Sequence, residues 1–201
     1  MIALIDYGVG NLRSVEKALT SVGAQVVLTS DPDLIQSAQK VVLPGVGAFR
    51  DGMLGLERKG LVQVLVAIAR RRTPLLGICL GMQLLFETSV EMGEHKGLGL
   101  LPGQVLRFAD HDLKVPQTGW NQVHIQRKNP LLDGLPDGSY AYFNHGFYCV
   151  PGREDDILAV TDYGIDYASV VAQGRIYGVQ FHPEKSQDVG LQILRNFVEM
   201  G

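Results

Sequence analysis

The chain has 201 residues, a formal net charge of −3 and 46% hydrophobic residues. It can therefore bury a core, and this composition excludes a disordered chain. No basic tail or long charge run is present beyond Arg70-Arg71-Arg72, which counts against nucleic-acid binding. Two cysteines without CxxC spacing exclude a disulfide framework and indicate a reducing compartment. With no basic leader and no apolar stretch of about 18 residues, we expect a cytoplasmic protein that does not enter a membrane, with one domain over residues 1–201.

Residues 1–86 alternate short apolar runs with helical patterns, which is typical of parallel strands joined by crossover helices. Leu12, Val15 and Leu19 recur at helical spacing before Gly23, which predicts a helix that ends at the glycine. Asp31-Pro32 predicts the start of the next helix. The predicted strands are 2–6, 25–28, 40–43 and 74–78. The predicted helices are 12–22, 32–39, 48–57, 61–72 and 80–86.

From Gly97 onward the apolar runs are shorter and are broken by Gly, Pro and Asn, which predicts antiparallel strands and loops. We expect an amphipathic final helix at 189–199. The strands predicted in this part are 104–108, 124–126, 140–143, 157–161, 168–173 and 175–180. The fold class is therefore α/β with a mixed sheet, and functional sites of such sheets gather at the carboxyl ends of strands.

The strongest local motif is Gly77-Ile78-Cys79-Leu80-Gly81, between a predicted strand and a predicted helix. It has the pattern of a nucleophile elbow with cysteine in place of serine. Glycines flank the nucleophile because the turn brings backbone close on both sides, and the helix N-terminus favours a thiolate. The motif predicts Cys79 as a nucleophile, while a small buried cysteine at a tight turn is the alternative.

A partner base is offered by Phe181-His182-Pro183-Glu184, at the end of the last predicted strand. In extended backbone, residues i and i+2 face the same way, so His182 and Glu184 are expected side by side. Pro183 favours an extended His182. A carboxylate beside an imidazole holds one tautomer and stabilises the imidazolium. We therefore predict Cys79, His182 and Glu184 as the catalytic residues; the alternative for His182 is a satisfied strand-end histidine.

Cysteine–histidine chemistry also requires an oxyanion hole. One donor is expected to be the N–H of Leu80, after the nucleophile, and another to come from Val46 in the loop Pro44-Gly45-Val46-Gly47. The two glycines permit unusual peptide orientations. The loop is either a rigid turn or a segment in which a peptide can flip.

Other candidate sites are weaker. Residues 8–13 resemble a dinucleotide-binding loop, but Arg13 stands where the third glycine is required. Cys79, His182 and Glu184 lack metal-ligand spacing, so we expect neither a metal nor a cofactor. His145 is expected in a polar loop, and we favour a solvated histidine over a catalytic one.

The chain resembles the class I (triad) glutamine amidotransferases, and among them the glutaminase subunits of imidazole glycerol phosphate synthase in histidine biosynthesis. The elbow and the His-Pro-Glu stretch define the superfamily, and the other motifs select this branch. The motifs are Asp6-Tyr7-Gly8-Val9-Gly10-Asn11-Leu12, Leu43-Pro44-Gly45-Val46-Gly47-Ala48-Phe49, Gly77-Ile78-Cys79-Leu80-Gly81-Met82-Gln83, Gly97-Leu98-Gly99-Leu100, Gly119-Trp120-Asn121 and Gln180-Phe181-His182-Pro183-Glu184-Lys185-Ser186. The resemblance implies a flavodoxin-like α/β fold with a mixed, mainly parallel sheet and helices on both faces.

By this resemblance, Cys79 attacks the carboxamide of glutamine and His182, oriented by Glu184, passes a proton to the leaving ammonia. Water then hydrolyses the glutamyl thioester. The resemblance also implies a set of residues around the substrate glutamine, namely Gly47, Gln83, Glu91, His145 and Gly146.

The resemblance further implies a heterodimer with a (β/α)₈-barrel cyclase subunit. That partner would use the ammonia to make imidazole glycerol phosphate and aminoimidazole carboxamide ribotide. The resemblance implies a switch in the 45–47 loop, where a peptide flip would complete the oxyanion hole when the partner binds its ligand. The residues that match family interface positions are Asn11, Pro116, Trp120, Tyr142 and Lys185.

Two residues depart from the family pattern. Gln117 stands where histidine is usual, which puts a charge-dependent interface contact in doubt. Phe147 stands where tyrosine is common, so we expect that a hydroxyl contact to the substrate or the partner is missing. Two other hypotheses stay open at this point: another triad glutaminase or γ-glutamyl hydrolase, with a different partner or alone, and a regulatory binding module. Cys149 is interpreted as a packing residue.

Overall fold

A computed structural model describes residues 1–109 and 113–201. The described residues form a mixed sheet of thirteen strands with six α-helices. The strands are β1 Ile2–Ile5, β2 Val26–Thr29, β3 Lys40–Leu43, β4 Leu75–Ile78, β5 Phe86–Ser89, β6 His95–Lys96, β7 Leu101–Arg107, β8 Gln117–Ile125, β9 Ser139–His145, β10 Phe147–Pro151, β11 Ile157–Asp162, β12 Asp166–Gln173 and β13 Ile176–Val179. The helices are α1 Leu12–Ser21, α2 Pro32–Ser37, α3 Phe49–Arg58, α4 Leu61–Arg70, α5 Leu80–Leu84 and α6 Gln187–Glu199.

The first half of the sheet is parallel and has the strand order β2-β1-β3-β4-β13. Every residue of β1 and β4 is buried, because helices cover both faces of these strands. One face packs against α1 and α6, and the other against α2, α3, α4 and α5. The mixed, mainly parallel α/β fold with helices on both faces is therefore confirmed.

The second half continues from β13 through antiparallel strands. β12 pairs with β13, β10 and β11, and β10 pairs with β7. A branch leaves this path, since β11 pairs with β8 and β8 pairs with β9. The hairpin of β8 and β9 reaches the segment that follows β13, because the His182 N–H donates to the Tyr142 carbonyl at 2.9 Å.

Local signals for helix ends are confirmed where they have a capping residue. The Asp31 side chain accepts hydrogen bonds from the N–H groups of Asp33 and Leu34 at the start of α2, and Gly23 adopts a φ of +90° after α1. The predicted end of the fourth helix was too late. That helix stops at Arg70, and Arg72 has the positive φ of a terminating residue.

Several strand assignments from the sequence were wrong, and the short strand β6 was not predicted. The predicted helix 80–86 ends at Leu84, and Phe86 begins β5, where its buried side chain joins the core beneath β7. The strand β10 was not predicted, and 124–126 is only the end of the longer strand β8. In β8, Gly119 and polar residues interrupt the alternation on which a strand prediction depends. In β10 the run from Phe147 to Pro151 shows no alternation and ends in proline.

None of the helices in the described parts of the chain has the length and apolar character needed to cross a bilayer.

Candidate active site

Cys79 lies in a tight turn between β4 and α5, at the carboxyl edge of the parallel strands. Its backbone has φ 52° and ψ −110°, a conformation that non-glycine residues rarely adopt. Its N–H donates to the carbonyl of Val179 at 2.8 Å. A Cβ atom on Gly77 would lie 2.7 Å from the Gly81 carbonyl oxygen, and one on Gly81 would overlap the Leu43 carbonyl oxygen. The two glycines of the predicted elbow are thus required by backbone contacts.

The predicted base and acid meet directly. His182 Nδ1 lies 2.9 Å from Glu184 Oε1, and the two side chains are only 3% and 2% exposed. His182 is extended, as predicted, but the expectation of extended backbone through Glu184 was wrong. Pro183 to Lys185 form a 3₁₀ turn, because the fixed φ of Pro183 also suits the first position of a helical turn.

The protonation of His182 is set by opposing effects. Burial lowers the pKa of His182, but its hydrogen bonds to Cys79 and Glu184, together with the charges of both groups, outweigh burial and raise the pKa to about 10. Cys79 and Glu184 therefore both favour the protonated form of the ring. Such a group can hold a thiolate beside it and deliver a proton to a leaving atom.

The backbone of His182 is tied to β9 by Ser186, a buried residue that sequence reasoning missed. The N–H of His182 donates to the Tyr142 carbonyl at 2.9 Å. Ser186 Oγ donates to the His182 carbonyl at 2.7 Å and accepts from the Tyr142 N–H at 2.9 Å. A hydroxyl four residues after the histidine, in a turn begun by proline, was the available signal.

A cavity of about 320 Å³ opens onto Cys79 and His182, which is enough for a ligand the size of an amino acid. It brings together all the predicted oxyanion and substrate residues. These lining residues are Val46, Gly47, Leu80, Gln83, Glu91, His145 and Gly146. Asn144 and Phe147 also line it, although neither was predicted as a site residue.

The 44–47 loop borders this cavity and is held in place by a hydrogen bond from a buried side chain. The buried Tyr7 hydroxyl donates to the Pro44 carbonyl at 2.5 Å. A Cβ atom on Gly45 would meet that hydroxyl at the same distance. Gly47 has a φ of +101°, which glycine adopts readily.

Gln83 and Glu91 already have protein partners within the cavity wall. Gln83 Nε2 donates to the Phe147 carbonyl at 3.0 Å and to Gln180 Oε1 at 3.2 Å. Glu91 Oε2 accepts from the Phe49 N–H at 2.6 Å. This contact caps α3, whose N-cap residue provides no side-chain acceptor, and a carboxylate suits that end of a helix.

The expectation of a solvated His145 in a loop was wrong. His145 ends β9 and is 6% exposed, with Nδ1 2.8 Å from the Phe147 carbonyl oxygen and Nε2 3.3 Å from the Tyr167 hydroxyl. Because a carbonyl only accepts, Nδ1 carries the proton. Burial lowers the pKa of His145 to about 4, against a smaller opposing effect of the Phe147 carbonyl. Ala141, Phe143 and His145 share the buried face of β9, a period-two signal that the sequence contained.

Gln117 lies inside the protein and does not form the interface contact considered for that position. It is 2% exposed, and its side-chain amide lies 2.9 Å from the Tyr167 hydroxyl. Gln117 pairs with His145 in the β8–β9 ladder, so the inward register of β9 turns Gln117 inward as well. The other departure, Phe147, uses its backbone carbonyl to contact Gln83 and His145.

Three of the five predicted interface residues form one cluster on the surface. Trp120 and Tyr142 pack edge to face with ring centroids 6.0 Å apart, and Lys185 Nζ lies 5.6 Å from the Tyr142 ring centroid. Trp120 is 47% exposed. Pro116 and Lys185 both line the cavity, and Asn11 is exposed at the start of α1.

Cys149 is buried, and burial raises the pKa of its thiol well above the ordinary value. It packs inside the sheet, as predicted. Within residues 1–109 and 113–201, no group of three or more His, Cys, Asp or Glu side chains is arranged to hold a metal ion.

Comparison with solved structures shows the same fold at low sequence identity. A protein described as a glutamine amidotransferase superposes with a TM-score of 0.77 at 20% identity, covering 98% of this chain and 99% of that one. PurLQS from Thermotoga maritima gives a TM-score of 0.76 at 19% identity, covering 98% and 96%.

Sequence comparison defines the family. Residues 3–200 match the family described as glutamine amidotransferase class-I. Imidazole glycerol phosphate synthase subunit HisH of Geobacter metallireducens is 50% identical over 202 residues, covering 98% of this chain and 96% of the relative. The subunit of the same name from Moorella thermoacetica is 51% identical over 199 residues, covering 99% and 94%. The chain belongs to the class-I glutamine amidotransferases, in the branch formed by the HisH subunits of imidazole glycerol phosphate synthase. The family, the enzyme class and the link to histidine biosynthesis that the sequence motifs predicted are confirmed.

Proposed function

We propose that Cys79, His182 and Glu184 hydrolyse glutamine through a cysteinyl thioester, and that the ammonia passes to a (β/α)₈-barrel cyclase subunit in a cytoplasmic heterodimer. The observation that carries the proposal is a buried His182 that lines the same cavity as Cys79 and lies with Nδ1 2.9 Å from Glu184 Oε1. It stands at a cavity of about 320 Å³. The chain would act as one domain over residues 1–201.

The first step forms the thioester. Cys79 Sγ, as a thiolate, attacks the side-chain carbonyl carbon of glutamine, and the electron pair of the C=O bond moves to oxygen. His182 gives its proton to the amide nitrogen as the C–N bond breaks, which releases ammonia. Glu184 keeps the ring in position and stabilises its charge.

The second step regenerates the enzyme. Neutral His182 takes a proton from a water molecule, whose oxygen attacks the thioester carbon. The C–S bond breaks, glutamate leaves, and the thiolate–imidazolium pair is restored. The water oxygen thus ends in glutamate and the displaced nitrogen in ammonia.

Both steps place negative charge on the former carbonyl oxygen. We assign its stabilisation to the N–H groups of Leu80 and Val46. Leu80 is the first residue of α5, so its N–H lacks an intrahelical acceptor. Val46 precedes Gly47 in the loop that borders the cavity.

The substrate glutamine would lie between the 44–47 loop and the end of β9. A zwitterionic amino acid needs an acid for its ammonium group and donors for its carboxylate. We assign the ammonium contact to Glu91 and the surrounding polar and backbone contacts to Gly47, Gln83, His145 and Gly146, which line the cavity.

The cyclase would dock on the side of the cavity formed by Pro116, Trp120, Tyr142 and Lys185, with Asn11 at its border. Exposed aromatic residues and a cation are typical of interface centres. The names of the HisH relatives support this partner, because they describe subunits of imidazole glycerol phosphate synthase.

The decisive experiment replaces Cys79 by alanine in the complex with the cyclase. Synthesis from glutamine should fall by at least about 10⁴-fold, because no thioester can form, whereas synthesis from added ammonia should persist. Cys149→Ala is the matched control, since it removes the other thiol and should leave glutamine-dependent synthesis in place. Loss of both syntheses in Cys79→Ala would contradict the proposal and assign the residue to folding or assembly.

A second measurement tests the coupling to the partner. Glutamate release from glutamine is followed with the chain alone, with the cyclase, and with the cyclase and its nucleotide ligand. We expect turnover to rise with each addition. Rapid turnover by the chain alone, unchanged by the partner, would favour a self-sufficient glutaminase.

A further inference from the structure

We propose that Gln180 is a further catalytic residue, whose side-chain amide donates a hydrogen bond to the Cys79 sulfur and stabilises the thiolate. The proposal rests on the thioester mechanism above and adds a group to the same site. Gln180 follows β13 directly and is fully buried. Its Nε2 atom lies 3.7 Å from Cys79 Sγ, a hydrogen-bond distance for the larger sulfur atom.

The orientation of the Gln180 amide follows from its neighbours. The Phe147 carbonyl only accepts, so the atom of Gln83 that contacts it at 3.0 Å is the nitrogen. That same nitrogen faces Gln180 at 3.2 Å. Gln180 must therefore turn its oxygen to Gln83, and its nitrogen points to the sulfur of Cys79.

The backbone holds Gln180 in this place. Its N–H donates to the Ser169 carbonyl at 2.9 Å, which continues the pairing of β12 and β13 by one residue. The next residue but one is His182, so the segment that follows β13 supplies two side chains beside Cys79. Because its side-chain oxygen and its backbone are both hydrogen-bonded, the Gln180 amide loses little conformational entropy when it donates to the sulfur. The low local dielectric strengthens a hydrogen bond to an anion.

The other ionisable groups that interact electrostatically with Cys79 when either is charged come from several elements. They are His182, Tyr7, Cys149 and Tyr167, with Glu91 and Lys185 lining the same cavity. Burial raises the pKa of Tyr7, Cys149 and Tyr167, so these three are neutral at pH 7. The imidazolium of His182 therefore acts together with a neutral donor, and we assign that donor role to Gln180.

The test measures how fast iodoacetamide alkylates Cys79 as a function of pH, with no glutamine present. Cys149→Ala is used as the background so that Cys79 is the remaining thiol of the chain. Gln180→Glu keeps an oxygen for Gln83 but replaces the N–H donor by a carboxylate oxygen facing the sulfur. We expect the midpoint of the profile to rise by about one pH unit or more and the rate at pH 7 to fall about tenfold.

Two further variants complete the design. Gln180→Met has similar length without a donor, so it should raise the midpoint by a smaller amount; it decides the question if Gln180→Glu does not fold. Gln126→Glu adds the same charge at an exposed glutamine and should leave the profile unchanged.

An alkylation profile unchanged in the folded Gln180 variants would overturn the role of Gln180 and leave the thioester mechanism intact. Conversely, the mechanism fails if the wild-type complex releases no glutamate from glutamine, whatever the alkylation profile shows. The two proposals therefore fail separately.

Discussion

The parallel and antiparallel halves of the sheet hold their site residues by different means. In the parallel half, Cys79 is positioned by main-chain contacts, since Gly81 lies against the Leu43 carbonyl and the Cys79 N–H bonds to Val179. In the antiparallel half, His145 has one main-chain contact, from Nδ1 to the Phe147 carbonyl at 2.8 Å, and is otherwise surrounded by side chains. It contacts the Tyr167 hydroxyl and stands 5.4 to 5.7 Å from three aromatic rings, those of Tyr167, Phe108 and Phe143.

This difference predicts how each half responds to change. Where main chain packs against main chain, no side chain can move aside, so even an added methyl group disrupts the turn. A wall of side chains can change shape and protonation while the strand beneath it stays in place. We therefore expect all-or-none effects near Cys79 and graded ones near His145.

The largest effect is expected for Gly81→Ala. Its added methyl group would overlap the Leu43 carbonyl oxygen, and the free energy of unfolding should fall by about 4 kcal/mol or more. Denaturant unfolding measures this. The control from the other half is Gly146→Ala, whose Cβ would meet Val115 at an ordinary 3.4 Å and should cost less than about 1 kcal/mol. Equal costs would remove the contrast between the halves.

Glu184→Gln should lower the rate of glutamate release while leaving the turn at Cys79 folded. The charge of Glu184 is one of the causes that raise the pKa of His182, so the neutral amide should lower that pKa and weaken the hold on the ring. Glutamate release should fall by about 10²-fold or more, with its high-pH limit moved to lower pH. Glu57→Gln, an exposed acid on α3, is the control. A variant with wild-type turnover would exclude Glu184 from catalysis.

The same pKa carries a stability effect with a defined sign. The pKa of His182 is raised from 6.5 to about 10. The contribution of His182 to the stability of the folded chain is therefore complete below pH 6.5 and is lost as the pH rises toward 10. Glu184→Gln should reduce that loss.

The prediction for the antiparallel half concerns His145 and the loss of stability at acid pH. Its pKa is lowered from 6.5 to about 4, so the stabilisation it provides is complete above pH 6.5 and is lost as the pH falls toward 4. This contributes about 2 to 3 kcal/mol to the drop in unfolding free energy between pH 7 and pH 4.5. His145→Gln should flatten that pH dependence, whereas His124→Gln, at an exposed histidine, should not. An equally steep pH dependence in His145→Gln would show that His145 is not the titrating group.

The smallest effect is expected for Asp31→Ala, in the parallel half but far along the chain from the elbow. Loss of the α2 cap should lower the free energy of unfolding by about 1 kcal/mol without changing glutamate release. Asp155→Ala, which removes an exposed ion pair with Arg127 at 2.9 Å, should cost no more than about 0.5 kcal/mol. Reduced turnover in folded Asp31→Ala would show that the parallel half is sensitive beyond its main-chain contacts.

The contrast also explains which parts of the site could be predicted. The elbow and the His182-Pro183-Glu184 stretch are local, because glycine and proline restrict the backbone in ways that a short segment reveals. The burial of His145 and Gln117 depends on the β8–β9 register, which no short segment contains. Gln180 was missed for a similar reason, since its partners Cys79 and Gln83 are about a hundred residues away in sequence.

The hydrogen bonds that join residues 182 and 186 to Tyr142 have a consequence for evolution. They attach the main chain of the base to β9, a strand whose surface carries the aromatic ring beneath Lys185 and whose end carries His145. A substitution that shifts β9 therefore also shifts His182, whichever function it was selected for. Replacements in β9 and in residues 182–186 should accordingly have been accepted in pairs, so that the surface around Trp120 and Tyr142 changed together with the position of His182.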